Sequence, residues 1–183
     1  SFTISEPAVL IPNAPDGNVS CFGSCDGSTT AAPTGGTSPY SYSWSNGQSG
    51  ATVTNLCAGS NHYLTVTDVN SCEAILGFTV FEPQQLSVDV SPSQVCQGQC
   101  NGIASAAAIG GVTPYSYMWN DPFIQTTQTA SGLCAGSYNV TVTDGNGCTA
   151  STNFNINAYS AGQWNQKANF GGSARQGSVA FSI

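Results

Sequence analysis

The chain has 183 residues, nine acidic side chains against two basic ones, and a formal net charge of −7. Both basic residues, Lys167 and Arg175, lie near the C-terminus, so residues 1–166 hold no lysine or arginine. This excludes a nucleic-acid partner, because that binding rests on basic contacts, and no run approaches the roughly 18 apolar residues of a membrane span.

In chain order, residues 1–7 are similar to Gly77-Phe78-Thr79-Val80-Phe81-Glu82-Pro83, and are expected to be the end strand of a preceding repeat or a strand borrowed to complete another domain. A first repeat follows over 8–83 and a second over 84–160. Cys21, Cys25 and Gly35-Gly36 recur 75 positions later as Cys96, Cys100 and Gly110-Gly111. Leu56-Cys57-Ala58-Gly59-Ser60 recurs as Leu133-Cys134-Ala135-Gly136-Ser137, and Cys72 as Cys148. In the first repeat Tyr40, Tyr42 and Trp44 alternate with mostly small polar residues, as Tyr115, Tyr117 and Trp119 do in the second. Period-two alternation of this kind predicts a half-buried strand with the rings on one face. His62 takes the place of Tyr138, at the start of a strand where sandwich domains carry a corner-forming tyrosine. The linker Glu82-Pro83-Gln84-Gln85 is short and holds a proline, so the repeats should be semi-rigid relative to each other.

In the second repeat, residues 86–90 are expected to form the first strand and residues 96–102 a turn. Ala104, Ala106 and Ala108 share a face of the next strand, small enough to make room for the rings if the two strands face each other. Residues 120–132 should carry one or two edge strands. Tyr138, Val140 and Val142 form another strand face, Asp144-Gly145-Asn146-Gly147 is a tight-turn signal, and residues 152–156 return as the last strand. No helical period of useful length occurs. About seven short antiparallel strands in about 75 residues predict tandem immunoglobulin-like β-sandwiches, an all-β fold.

Domains of this size bury modest cores, so cross-links help. Eight cysteines, four per repeat at matching positions, predict a disulfide framework and an oxidising, extracellular compartment. Zinc fits less well, since Cys-x3-Cys departs from the usual ligand spacing and His62 is the only histidine. A chain with this chemistry and neither an initiator Met nor a signal peptide is expected to be a mature form or an excerpt of a longer protein.

No catalytic constellation is found. A Ser/His/Asp arrangement has only His62 to draw on, and the acidic residues are scattered, several in turns, rather than paired across a cleft. Asp144-Gly145-Asn146 is better explained by turn chemistry than as a calcium loop, because the closing glutamate is absent. No metal or cofactor site is expected. Residues 120–130 are a candidate ligand loop: Asn120, Asp121 and Phe123 lie in an insertion two residues longer than its counterpart after Trp44.

The strings Cys21-Phe22-Gly23-Ser24-Cys25-Asp26-Gly27 and Cys96-Gln97-Gly98-Gln99-Cys100-Asn101-Gly102, followed in each repeat by Gly-Gly-x-x-Pro-Tyr-x-Tyr-x-Trp, Leu-Cys-Ala-Gly-Ser and Val-Thr-Asp-x-Asn-x-Cys, resemble the SprB-type repeat. That resemblance covers about residues 1–160. It implies a segment of a large secreted surface protein of gliding and related Bacteroidota, exported by the type IX route, with no catalytic residue. It also implies a cysteine pairing, Cys21–Cys72 with Cys25–Cys57 and Cys96–Cys148 with Cys100–Cys134. The inner pairs suit turns at one end of a sandwich. The outer pairs must cross about 20 Å of strand, against a reach of about 7 Å between Cα atoms, so the topology departs from a standard sandwich or the outer pairing differs. Residues 161–183 are expected to be a tail or the start of a further domain: Trp164 to Arg175, with Val179-Ala180-Phe181-Ser182-Ile183, resemble the opening of a kelch-like propeller blade, or the segment stands alone as a strand that adds to a neighbour's sheet edge through Val179, Phe181 and Ile183.

The function expected from these features is a disulfide-braced spacer or filament unit of a surface adhesin, touching neighbouring repeats of the same or identical chains. The alternative is a module that binds surface polysaccharide through the 120–130 loop.

Overall fold

A computed structural model describes residues 6–159, which form strands and no helix. The first repeat carries β1 (Gly17–Asn18), β2 (Gly27–Thr30), β3 (Ser41–Trp44), β4 (Thr52–Leu56), β5 (His62–Thr67), β6 (Glu73–Phe78) and β7 (Val80–Phe81). The second carries β8 (Ser87–Pro92), β9 (Val95–Cys96), β10 (Gly102–Ile109), β11 (Ser116–Trp119), β12 (Thr129–Leu133), β13 (Gly136–Thr143), β14 (Thr149–Ile156) and β15 (Ala158–Tyr159).

The second repeat shows the topology most fully. One sheet has the order β12-β10-β8 and the other β11-β13-β14, all antiparallel. After β8 the chain crosses to the other edge, where β9 pairs in parallel with β15. Two facing three-stranded sheets and a first strand split between them, as β8 and β9, are an immunoglobulin-like arrangement. The first repeat repeats it with β2-β4, β3-β5-β6 and the parallel pair β1-β7. Its opening strand is reduced to a single bridge between Ile11 and Thr34, extended by hydrogen bonds from Ala32 N–H to Asn13 O and from Gly36 N–H to Ala8 O. The segment 120–132 yields one edge strand, β12. The closing strand β14 starts three residues before the predicted 152, because its pairing with β13 continues to Thr143↔Thr149.

Each core is organised by its tryptophan. Trp44 is 3% exposed and Trp119 1%, and each meets a phenylalanine of the closing strand edge-to-face: Phe78 at 5.7 Å and Phe154 at 5.6 Å between ring centroids. The indole N–H groups donate to Gly50 O and Thr127 O, both at 2.8 Å, so neither buried ring leaves a donor unmet. The tyrosines of the same face are only partly buried. They lie nearer the sandwich end, and Tyr40 and Tyr115 use the hydroxyl to tie down the glycine turns at Gly35 O and Gly110 O, each at 2.6 Å. Across from Trp119 stand Ala104, Ala106 and Ala130, almost wholly buried. Small side chains facing a large ring fill the layer without a void. In the first repeat the position of Ala104 is Thr29, whose hydroxyl donates to Pro15 O at 2.7 Å and so is paired in the core.

Glycine is required at the turn before each aromatic strand. Gly35 and Gly110 have φ of 70° and 78°. A Cβ there would lie 1.9 Å from Val9 O and 2.1 Å from Gln85 O, so the conformation and the close approach of the opening strand both demand it.

Candidate functional site

The chemistry-bearing groups gather at the ends of the sandwiches. Cys25 bonds Cys57 and Cys100 bonds Cys134, with Cα atoms 4.0 and 3.8 Å apart. Each bond joins the turn before β2 or β10 to the corner after β4 or β12. These are the two inner pairs.

The outer pairs expected from the resemblance, Cys21–Cys72 and Cys96–Cys148, are not formed. Cys21 bonds Cys148 of the other repeat, with Cα atoms 5.8 Å apart, while Cys72 and Cys96 are free and exposed. The reason is distance. Cys21 lies in the turn after β1, at the end where its repeat hands over to the linker. Cys72 lies beyond the six-residue β5, at the opposite end, about 20 Å away at the rise of a strand. The same holds for Cys96 and Cys148. The end-to-end arrangement instead brings the last turn of the second repeat against the Cys21 turn of the first. The signal for this was in the sequence: one sandwich could not satisfy the outer pair, whereas two in tandem present a first-position and a fourth-position cysteine to each other.

Polar contacts support the junction. Asn146, in the turn before Cys148, donates its side-chain amide to Ser20 O at 2.8 Å. Gly23 N–H donates to the carboxylate of the linker residue Glu82 at 2.8 Å, fastening the Cys21 turn to the chain that leaves the repeat. A cavity of about 240 Å³ remains between them, lined by Asn18, Val19, Phe81, Pro83 and Val112 among others.

The cysteine turns are held by buried carboxylates. Asp144 accepts N–H groups of Val112, Asn146 and Cys148, each at 2.9 Å. Asp68 accepts those of Thr37 at 3.0 Å and of Asn70 and Cys72 at 2.9 Å. Burial pushes the Asp144 carboxyl up, but the surrounding N–H donors, Val112 first among them, outweigh it and leave the group below the usual carboxylate range. At Asp68 the Cys72 N–H is the foremost cause of the same downward displacement, against a smaller contribution from burial. Turn-holding is thus what these aspartates do.

His62 and Tyr138 occupy the same corner. The His62 ring lies 2.8 Å through Nε2 from Cys57 O, and the Tyr138 hydroxyl donates to Cys134 O at 3.1 Å. Each ring stacks on the closing-strand phenylalanine, His62 on Phe78 at 5.4 Å and Tyr138 on Phe154 at 5.7 Å. His62 therefore stands in for the corner tyrosine.

The candidate ligand loop divides. Asp121 is 3% exposed, and its carboxylate accepts N–H groups of Phe123 at 3.1 Å and Gln125 at 2.9 Å, and the Gln125 side-chain amide at 3.0 Å. Burial raises this carboxyl, and the Gln125 and Phe123 donors bring it below its ordinary value. Asn120 accepts the Asn139 N–H at 2.7 Å. Both polar side chains are thus consumed in shaping the loop, a use invisible in sequence because it depends on where Gln125 and Asn139 fold back. Phe123 is 76% exposed at the tip, beside an open groove of about 620 Å³ lined by Met118, Asn120, Pro122, Ile124 and Thr141 among others. Val179, Phe181 and Ile183 lie outside the described residues, as does most of the segment 1–7. Among the described residues no group of three His, Cys, Asp or Glu side chains could hold a metal ion, and no helix is long and apolar enough to cross a membrane.

Residues 17–49 match the family model of the SprB repeat. A comparison with curated proteins found no match. Among solved structures, the chain is similar to the C-terminal 282-residue fragment of intimin in complex with the intimin-binding domain of its translocated receptor, at 8% identity and a TM-score of 0.42, with 84% of this chain and 64% of that one covered. It is also similar to a structure described as the basis for Dscam isoform specificity, at 10% identity and a TM-score of 0.37, with 83% and 46% covered. The chain thus spans less than two thirds of either structure's length.

Proposed function

We propose that the chain is a structural segment of a secreted cell-surface adhesin or extracellular fibre, in which two immunoglobulin-like repeats act as a stiff, disulfide-braced spacer or filament unit. The observation that carries this reading is the Cys21–Cys148 bond. Together with the short Pro83 linker it gives the repeats two covalent attachments, and rotation about one is blocked by the other. Three disulfides suit an oxidising exterior, and a surface of acidic, Ser, Thr, Gly and Asn residues with no lysine or arginine before residue 167 stays soluble without offering tryptic sites. The SprB-repeat match agrees with export to the surface of a Bacteroidota cell by the type IX route. The role is mechanical, and no catalytic step is assigned.

Negative-stain electron microscopy of the oxidised chain, beside a version ending at residue 162, tests it. Isolated straight rods from both support a spacer. Fibres from the full chain with rods from the shortened one assign subunit linkage to residues 163–183. Pairs of globules bent at random angles in the oxidised state overturn the reading.

The exposed Phe123, whose neighbours Pro122 and Ile124 line an open groove, favours one second reading, a module for surface polysaccharide, since an exposed aromatic ring offers a stacking face. A glycan array that lights up with the native chain and goes dark with Phe123→Ala would support it; a dark array with both would end it.

A further inference from the structure

The junction bond has a translational logic. It joins the first-position cysteine of one repeat to the fourth-position cysteine of the next, Cys21 to Cys148. The same two positions on the outer sides are Cys72, fourth in the first repeat, and Cys96, first in the second, and these are the two free, exposed cysteines. They point to opposite ends of the pair. Cys72 follows the Asp68 turn, which hydrogen-bonds Thr37 beside the opening segment where Gly36 N–H reaches Ala8 O. Cys96 pairs with Tyr159 at the closing end, and the next residue, Gln97, donates its N–H to Tyr159 O.

The local architecture around each thiol is that of its bonded counterpart. The Cys96 turn closes with Gln99 N–H on Cys96 O at 3.0 Å, as the Cys21 turn closes with Ser24 N–H on Cys21 O at 3.0 Å. The Cys72 turn is held by Asp68 with the same Asx and cysteine N–H bonds that Asp144 makes before Cys148. Asn70 sits where Asn146 sits; in place of a carbonyl across a junction, its amide meets Thr37 Oγ1 of its own repeat at 3.0 Å.

We propose that Cys96 and Cys72 are the two open halves of the clasp that Cys21 and Cys148 close, and that Cys96 of one copy bonds Cys72 of a second copy, head to tail. This deepens the filament reading above and rests on it. The bond forms by two exchanges with a small-molecule disulfide such as glutathione disulfide. The Cys96 thiolate attacks one oxidant sulfur and expels the first thiolate. Cys72 of the second copy then attacks the Cys96 sulfur of the mixed disulfide and expels the second. Two protein thiols are oxidised to one disulfide, the oxidant is reduced to two thiols, and the two protons pass to them or to solvent.

The full chain tests this with Cys72→Ser and Cys96→Ser, each left with one exposed thiol. One variant is ¹⁵N-labelled, the two are mixed with glutathione disulfide, and dimers are resolved by non-reducing electrophoresis and mass spectrometry. Docked ends predict that the Cys96–Cys72 heterodimer exceeds the two homodimers about tenfold, a modest docking preference. The unsubstituted chain should give a ladder of covalent multimers, and the doubly substituted chain none. Homodimers in the proportion of random coupling, or no dimer with the thiols capped by glutathione, overturn the clasp. Electron microscopy of the doubly substituted chain separates the two ideas: straight rods leave the spacer standing when the clasp fails, and bent pairs sink the spacer itself.

Discussion

The two repeats place different rings at one corner and different loops after one tryptophan, and the contrast shows which features the sandwich requires. At the corner, imidazole and phenol serve alike, because the site asks for a flat ring that stacks on Phe78 or Phe154 and a polar atom in reach of the cysteine carbonyl. After the tryptophan, a glutamine is the fixed point. Gln48 exchanges hydrogen bonds with the backbone of Thr54, as Gln125 does with Ser131. The first repeat spans the gap with Asn46, whose side chain accepts the Gln48 N–H at 3.2 Å. The second inserts two residues and hands that task to Asp121. The clamp fixes the strand ends, so length variation is pushed outward to Phe123.

Replacing the central ring should break each repeat on its own. Trp44→Ala or Trp119→Ala is expected to cost about 3–5 kcal/mol, and calorimetry should show one of two transitions lowered while the other holds. A single transition that moves as a whole would mean the junction makes the repeats one cooperative unit. Removing an inner disulfide as a Ser pair, Cys25/Cys57 or Cys100/Cys134, should cost about 2–4 kcal/mol. The two repeats should lose similar amounts, since the bonds span sequence separations of 32 and 34.

Acid should act on both through Asp68 and Asp144. Their folded-state carboxyls lie below the ordinary value, so the stabilisation is complete above about pH 4 and is lost as pH falls through the folded values. Melting curves between neutral and strongly acid pH should show this decline, with Asp68→Asn flattening it in the first repeat and Asp144→Asn in the second. At the corner, Tyr138→Phe should cost about 0.5–1.5 kcal/mol for the lost hydrogen bond, whereas His62→Tyr should change stability by less than about 1 kcal/mol; a larger loss there would show that the corners are not interchangeable. Phe123→Ala should leave the melting temperature nearly unchanged, within about 0.5 kcal/mol as for an exposed site.

Much of this was legible in sequence because it depends on short-range pattern. The alternation of Tyr40, Tyr42 and Trp44, the small face of Ala104 and Ala106, and the Asp144-Gly145 turn follow from rules of period and turn chemistry. His62 could be placed at its corner because its twin carries Tyr138. What escaped depends on contacts between distant residues. Nothing local to Asp121 says that Gln125 and Phe123 will consume its carboxylate. The resemblance to the SprB-type repeat paired Cys21 with Cys72, although strand length alone placed them too far apart. The correct partner lay 127 positions away in the other repeat, a separation that local pattern does not weigh.

The Cys21–Cys148 bond also decides where tension would travel. A pull applied at residues 6 and 159 enters at one side of that bond and leaves at the other, so the covalent route bypasses residues 22–147. Both tryptophans, both inner disulfides and the linker lie off the load path. Only residues 6–20 and 149–159 can pay out under force, roughly 90 Å of contour. Unfolding a repeat therefore gives the chain almost no extra reach. The pair behaves under load as a short tether, strained only in the opening segment of the first repeat and in the closing strand of the second, which carries the core residues Phe154 and Ile156.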